Sequence, residues 1–94
     1  MIVRFTSGAE ARITELPGPR FRVELTKADD GRVVIGDALE CDGLHVQTGK
    51  RLVYLGAIRG EFSYATRVLT GSGAVVAEIM SEGEAKRIPT KEGT

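Results

Sequence analysis

The sequence predicts an all-β fold, built as a short β-helix or solenoid-like stack that follows an N-terminal β meander. Two observations support this prediction. Apolar and polar residues alternate along the first third of the chain, and a glycine-containing phrase recurs about every 20 residues after it. Because glycine-rich hairpins can imitate the coils of a β-helix, a small closed β-barrel is the alternative.

The meander occupies residues 1–31 and contains three predicted strands. Residues 1–5 are a short apolar segment, residues 9–16 alternate in polarity, and residues 20–26 alternate most regularly. Residues 9–16 would also suit a short helix, although their alternation favours a strand. An Asp-Gly pair at positions 30 and 31 predicts a hairpin turn after the third strand.

Residues 32–80 repeat a phrase made of a basic residue, a short apolar run, a glycine turn and a small-plus-apolar pair. The copies begin at Arg32, Arg51 and Arg67, with a further start at Arg87. Short strands separated by glycine corners suit the coils of a β-helix, because corners need positive φ or close backbone approach. We therefore expect one domain over residues 1–80 and a flexible charged tail over residues 81–94.

Charge and cysteine content restrict the class of protein. Thirteen basic and thirteen acidic side chains give a net charge of zero, whereas nucleic-acid binders usually have a basic excess. A single cysteine excludes an intramolecular disulfide and fits a reducing compartment. The sequence contains no signal peptide or membrane-spanning run. We expect a cytoplasmic protein, with nucleic acid disfavoured as a partner and membrane-surface association left open.

Residues 53–65 resemble the coils of bactofilins. Those coils repeat the pattern apolar, x, x, Gly, x, apolar, x, Gly, x, apolar, x, Ala. Here Val53, Gly56, Ile58, Gly60 and Phe62 occupy its apolar and glycine positions. The resemblance extends over residues 32–80. It implies a right-handed β-helix that polymerises end to end into filaments, without nucleotide and often at a membrane.

The same phrase is similar to the C-terminal β-helical domain of the division inhibitor MinC. In that family a Tyr-Gly-Ala-Leu-Arg-Gly stretch lies beside a dimer face and the partner-binding surface. Tyr54, Ala57, Ile58, Arg59 and Gly60 are the matching positions, with one extra residue after the tyrosine. This second resemblance implies a module that binds a protein partner.

No catalytic site, metal site or cofactor is predicted. Cys41 and His45 could form half a metal site or a nucleophile–base pair, but such sites need further ligands or partners from distant segments. We interpret Cys41 as a small core residue and His45 as an exposed strand residue. The acidic pairs of the turn and the tail are interpreted as solvated surface: Asp29 with Asp30, and Glu82 with Glu84.

Three further groups suggest binding but have simpler interpretations. Arg32, Arg51 and Arg67 recur with the repeat and could stack as a basic ladder for phosphates or acidic lipid, although interleaved glutamates favour salt bridges. Residues 70–73 lack the lysine and following helix of a phosphate-binding loop. The spacing of the aromatic residues suits a core better than a base-stacking platform: Phe21, Phe62 and Tyr64.

We therefore predict a non-enzymatic, self-assembling structural protein with a cytoskeleton-like role, acting through strand edges and end-to-end contacts. Its partner would be another copy of itself or another protein, because a stacked sheet exposes unpaired backbone groups and apolar end layers. No small-molecule substrate is expected. The predicted assembly residues lie near both ends of the domain: Ile2, Val3, Phe5, Val75, Val76, Ile79 and Met80.

The alternative function is a small β-barrel adaptor or nucleic-acid-binding module that forms a discrete oligomer. Such a module would bind in a salt-dependent way through its arginines: Arg20, Arg22, Arg32, Arg51 and Arg67. An enzyme has the least support, because it would need Cys41, His45 and a carboxylate to converge.

Overall fold

A computed structural model describes residues 1–18, 20–60 and 64–81, and within them one antiparallel β-sheet packs against one short helix. The strands lie in the order β5-β4-β3-β2-β1-β6. Their bounds are β1 (Ile2–Phe5), β2 (Glu10–Leu16), β3 (Arg20–Lys27), β4 (Val33–His45), β5 (Val53–Arg59) and β6 (Val76–Met80). The helix α1 (Tyr64–Thr70) lies between β5 and β6 in the chain.

The predicted N-terminal meander is confirmed. β1, β2 and β3 are consecutive neighbours in the sheet, and residues 10–16 form a strand rather than a helix. Alternation fixes the register, since Ile13 lies opposite Val23 and both side chains are buried. Gly31, with φ of +91°, occupies the predicted turn between β3 and β4.

The core lies on one face of the sheet, where successive strands contribute alternate apolar residues. Its fully buried large side chains come from four strands and the helix: Leu25, Leu39, Leu69, Val3, Val23, Val76 and Cys41. α1 covers the β3 and β4 part of this face, with Ala65 and Leu69 buried beneath it. The polar residues between these positions face away from the core and form a charged face.

The predicted β-helix is not found among the described residues. A β-helix stacks its coils through parallel strands, whereas every strand pair here is antiparallel. The first and second copies of the repeat fall at the start of β4 and just before β5, and the third begins inside α1. The copies therefore share a sequence phrase without sharing a structure.

The sheet is also not a closed β-barrel. Its two outer strands, β5 and β6, are connected only through an isolated bridge between the segments that precede them. A bridge links Arg51, before β5, to Val75, before β6. Around it the Leu52 N–H donates to the Ala74 carbonyl at 3.0 Å, and the Val76 N–H donates to the Lys50 carbonyl at 2.9 Å. Beyond this bridge β5 and β6 are not paired, so the sheet stays open.

The helix is the main local element that the sequence interpretation missed. Ala65 and Leu69 are one turn apart and buried, and Tyr64 and Val68 pack beside them against the core. This is helical spacing, although glycine punctuation on both sides favoured a strand. Two contacts fix the helix to the sheet: the Asp37 carboxylate accepts the Ala65 N–H at 3.0 Å, and the Tyr54 hydroxyl donates to the Leu69 carbonyl at 2.7 Å.

Candidate functional site

β5 forms one edge of the sheet and is the most exposed strand. It pairs with β4 on one side, between Glu40 and His45, and no described strand lies on its other side. Every residue of β5 except Tyr54 is exposed, including three large apolar side chains: Val53, Leu55 and Ile58. An unpaired edge offers alternate N–H and C=O groups to an added strand, so β5 is a candidate interaction site.

The first part of β4 extends past the end of β5 and lengthens the same edge. Val33, Asp37 and Ala38 pair with β3 on one side, and residues 33–38 have no β5 partner, since β5 ends opposite Glu40. Val34 packs against the core, which directs its neighbours away from it. Val33 and Ile35 are consequently 78% and 88% exposed.

The apolar surface of the described residues is concentrated at this edge. Within residues 1–18, 20–60 and 64–81 seven large hydrophobic residues are exposed, and five of them belong to β4 or β5. The other two are Met1 and Ile79, on the opposite side of the sheet. Single exposed apolar residues are normal, whereas a concentration on one unpaired edge indicates an interaction surface. We call this set the apolar edge: Val33, Ile35, Val53, Leu55 and Ile58.

A β-bulge interrupts β5 and is held by Asp42 of β4. Gly56 has φ of +76°, and the register shifts between Cys41 and Gly43. The Asp42 carboxylate accepts the Ala57 N–H at 3.2 Å and the Arg59 guanidinium at 2.7 Å. Hydrogen bonding from Arg59, and then from the Ala57 N–H, lowers the pKa of Asp42. The bulge therefore has a charged anchor that fixes the end of β5.

Residue size also shapes the edge beside the bulge. A side chain at Gly43 would place its Cβ 3.1 Å from the Cβ of Leu55, which is a tight contact. The absence of that side chain lets Leu55 lie close over β4.

The charged face carries ion pairs that cross from strand to strand. Arg4 pairs with Glu10 and Glu78, both at 3.3 Å, and Arg20 pairs with Glu40 at 3.5 Å. Because nearly every arginine of this face has a carboxylate beside it, the face lacks the basic excess that a nucleic-acid surface needs.

The residues predicted for assembly do not form two opposite end surfaces. β1 lies inside the sheet between β2 and β6, so the two predicted ends are adjacent strands. Val3, Phe5 and Val76 belong to the core, and Ile2 and Met80 are also buried. Val75 is half-buried and joins the bridge to Arg51, which leaves Ile79 as the exposed member of the set. Because most of the predicted assembly residues are buried, the exposed strand β5 is the better candidate for an interaction surface.

The arginines of the predicted basic ladder are not stacked. Arg32 precedes the first residue of β4, whereas Arg51 precedes Val53, which pairs with the last residue of β4. An antiparallel hairpin therefore places them at opposite ends of a 13-residue strand. Arg67 is on α1, Arg51 donates to the Thr70 carbonyl at 3.3 Å, and Arg32 pairs with Asp30 at 2.8 Å.

The residues considered for chemistry lie apart. Cys41 is fully buried as a core residue, and burial raises the pKa of its thiol. His45 is exposed at the end of the same strand. No three His, Cys, Asp or Glu side chains among the described residues are placed to hold a metal ion. Asp29 and Asp30 are exposed in the β3–β4 turn, as expected for solvated carboxylates.

The remaining groups also have structural positions. Phe21 and Tyr64 pack against the core, and the Arg32 guanidinium lies 5.6 Å from the centre of the Tyr64 ring. Residues 70–73 end α1 and turn into the segment before β6. Phe62, Glu82 and Glu84, with most of the predicted tail, lie outside the described residues.

The apolar edge could have been suspected from two sequence triplets. Val33-Val34-Ile35 and Val53-Tyr54-Leu55 are runs of apolar residues in predicted strands. Successive side chains of a strand point to opposite faces, so a sheet with one buried face must expose part of each run. Both runs also suit the buried face of a β-helix coil, so the pattern alone does not mark them as exposed.

Comparison with known proteins adds no assignment. The sequence matches no family model, and no curated protein or solved structure is significantly similar to it. Among the described residues, no helix has the length and apolar character needed to cross a bilayer.

Proposed function

We propose that this protein acts without catalysis, as a self-associating structural module whose contact surface is the apolar edge. In the part of the chain that the structure describes, five of the seven exposed large hydrophobic residues lie on β4 and β5, at an edge with no described strand partner, and this observation carries the proposal. Adding a strand there would satisfy free backbone groups and cover apolar surface in one step.

The occupant that best fits this edge is a second copy of the chain. The net charge is zero, so two copies meet without long-range repulsion. A twofold axis beside β5 would bring β5 against β5 of the other copy in antiparallel pairing. Such an interface is isologous and closes on itself, which gives a dimer.

A head-to-tail assembly, as in a filament, would use a different pair of edges. β5 and β6 are the two outer strands of the sheet and run antiparallel to each other, so β6 of one copy could pair with β5 of the next. However, Val76 of β6 already exchanges hydrogen bonds with the segment before β5, and only Ile79 adds an exposed large apolar side chain there. The balance of exposed apolar surface therefore favours the dimer.

The test compares two edge substitutions in the full chain by sedimentation velocity over a range of protein concentrations. Leu55→Lys places a charge in the apolar edge, and Ile79→Lys is its matched control on β6. We expect the wild type and Ile79→Lys to dimerise and Leu55→Lys to remain monomeric. Val53→Lys provides a second edge variant, and circular dichroism verifies that each variant keeps its β-sheet.

Three results would overturn the proposed dimer. A monomeric wild type at every concentration would exclude self-association. Loss of assembly in both Leu55→Lys and Ile79→Lys would indicate head-to-tail growth. Assembly that survives both Leu55→Lys and Val53→Lys would place the contact elsewhere on the molecule.

A further inference from the structure

We infer that a groove on the charged face binds a compact oxyanion, a carboxylate or a phosphate, through Arg22. The groove adjoins the end of the apolar edge, since Gly36 follows Ile35 and Arg59 follows Ile58. Its test measures anion binding and does not depend on self-association. The groove is lined by residues of β2, β3, β4 and β5 and by the residue after β5: Leu16, Arg22, Gly36, Ala38, Glu40, Arg59 and Gly60.

Arg22 differs from the other arginines of the sheet strands. Arg4, Arg12, Arg20 and Arg59 each pair with a carboxylate. Arg22 is half-buried, yet within the described chain its guanidinium makes no hydrogen bond and no ion pair. A guanidinium presents paired N–H donors that match carboxylate and phosphate oxygens in a bidentate arrangement.

The local charge balance leaves this group uncompensated. Glu40 lies between Arg22 and Arg59 in the strand register, but its carboxylate already pairs with Arg20 at 3.5 Å. Asp42 is held by Arg59, and Glu24, two residues from Arg22 on the same face of β3, pairs with Arg12 at 3.9 Å. Four arginines of this part of the face (Arg12, Arg20, Arg22 and Arg59) therefore meet three carboxylates (Glu24, Glu40 and Asp42), which leaves one positive charge for a ligand.

Small residues give a ligand room to approach Arg22. Gly36, Ala38 and Gly60 form part of the lining, and a Cβ built on Gly36 would meet no atom within 4 Å. Larger side chains at these positions would fill the space beside the guanidinium. Glu40 opposes binding, so the affinity is limited and substitution of Glu40 should reveal it.

The experiment is an NMR titration of the full ¹⁵N-labelled chain, followed by amide and arginine side-chain signals. Sodium phosphate and sodium acetate are the two probes, each at constant ionic strength set with sodium chloride, so that a specific anion is distinguished from general screening. Saturating shifts at Arg22, Ala38 and Gly60 are expected with at least one probe. The probe that binds more tightly identifies the ligand as phosphate-like or carboxylate-like.

Matched variants make the assignment specific. Arg22→Gln should weaken binding about tenfold or more, because it removes a charge-assisted pair. Arg22→Lys should retain part of the affinity, and Glu40→Gln should tighten binding. The control is Arg67→Gln, which removes the same charge from an exposed position on α1 and should change nothing.

Two outcomes would overturn the inference. One is the absence of saturating shifts in the groove with both anions in the wild type. The other is an Arg22→Gln variant that keeps a dispersed, folded spectrum and binds as tightly as the wild type.

Discussion

Asp42 of β4 and Arg59 of β5 are joined by an ion pair of 2.7 Å, and the same carboxylate also accepts the Ala57 N–H. One side chain thus fixes both the bulge of β5 and the strand's last residue. Because β5 carries most of the apolar edge, its shape depends on this contact between neighbouring strands. Two substitutions test this dependence.

Replacing Asp42 with Asn should make the free energy of unfolding less sensitive to pH in the acid range. The Arg59 hydrogen bond lowers the pKa of Asp42 in the folded state. A depressed folded pKa contributes stability that is present above the unfolded value and lost as pH falls through the folded value. We therefore expect urea unfolding between about pH 2 and pH 6 to show that the wild type has the larger free energy of unfolding near pH 6, and that this difference from Asp42→Asn disappears as the pH falls. A constant difference would contradict this role.

Replacing Gly56 with Ala should destabilise the protein more than Gly36→Ala does. The two glycines have φ of +76° and +77°, so each variant places an alanine in the left-handed region, at a cost of about 1–2 kcal/mol. Only at Gly56 would the new Cβ lie 2.5 Å from Asp42 Oδ2 and 2.8 Å from Asp42 Cβ. Denaturant unfolding of both variants measures this extra cost. Equal losses of unfolding free energy would show that Asp42 moves aside freely.

Local patterns predicted the first half of the fold well. Alternation in residues 10–16 and 20–27, with a turn glycine at Gly31, is enough to specify a hairpin whose buried face is set by period two. These signals need no information about distant residues. The burial of Cys41 followed from the same alternation.

The second half could not be predicted in the same way, because its order depends on long-range pairing. A phrase that begins with a basic residue and an apolar run is compatible with an antiparallel strand, a helix or a coil of a β-helix. The Tyr54 hydroxyl on Leu69 and the Asp37 carboxylate on Ala65 determine where α1 lies. Both contacts join residues that the sequence gives no reason to pair.

The candidate site was missed for a related reason. Val33 and Ile35 are exposed because β5 ends at Arg59, opposite Glu40, and this end is set by cross-strand register. Burial of Val3 and Phe5 likewise follows from the pairing of β1 with β6, at the far end of the chain. Apolar character alone could not distinguish the covered strand from the open one.

Tyr54→Phe should lower stability at neutral pH. It should also remove part of the stability loss that the wild type undergoes at alkaline pH. The Tyr54 hydroxyl donates to the Leu69 carbonyl, so its removal should cost about 1 kcal/mol. Burial raises the pKa of Tyr54 above its ordinary value. For a raised folded pKa, the contribution to stability is complete below the unfolded value and is lost as pH rises through the folded value. Unfolding free energies of the wild type should therefore fall towards those of Tyr54→Phe above about pH 10, and parallel curves for the two proteins would contradict this contact.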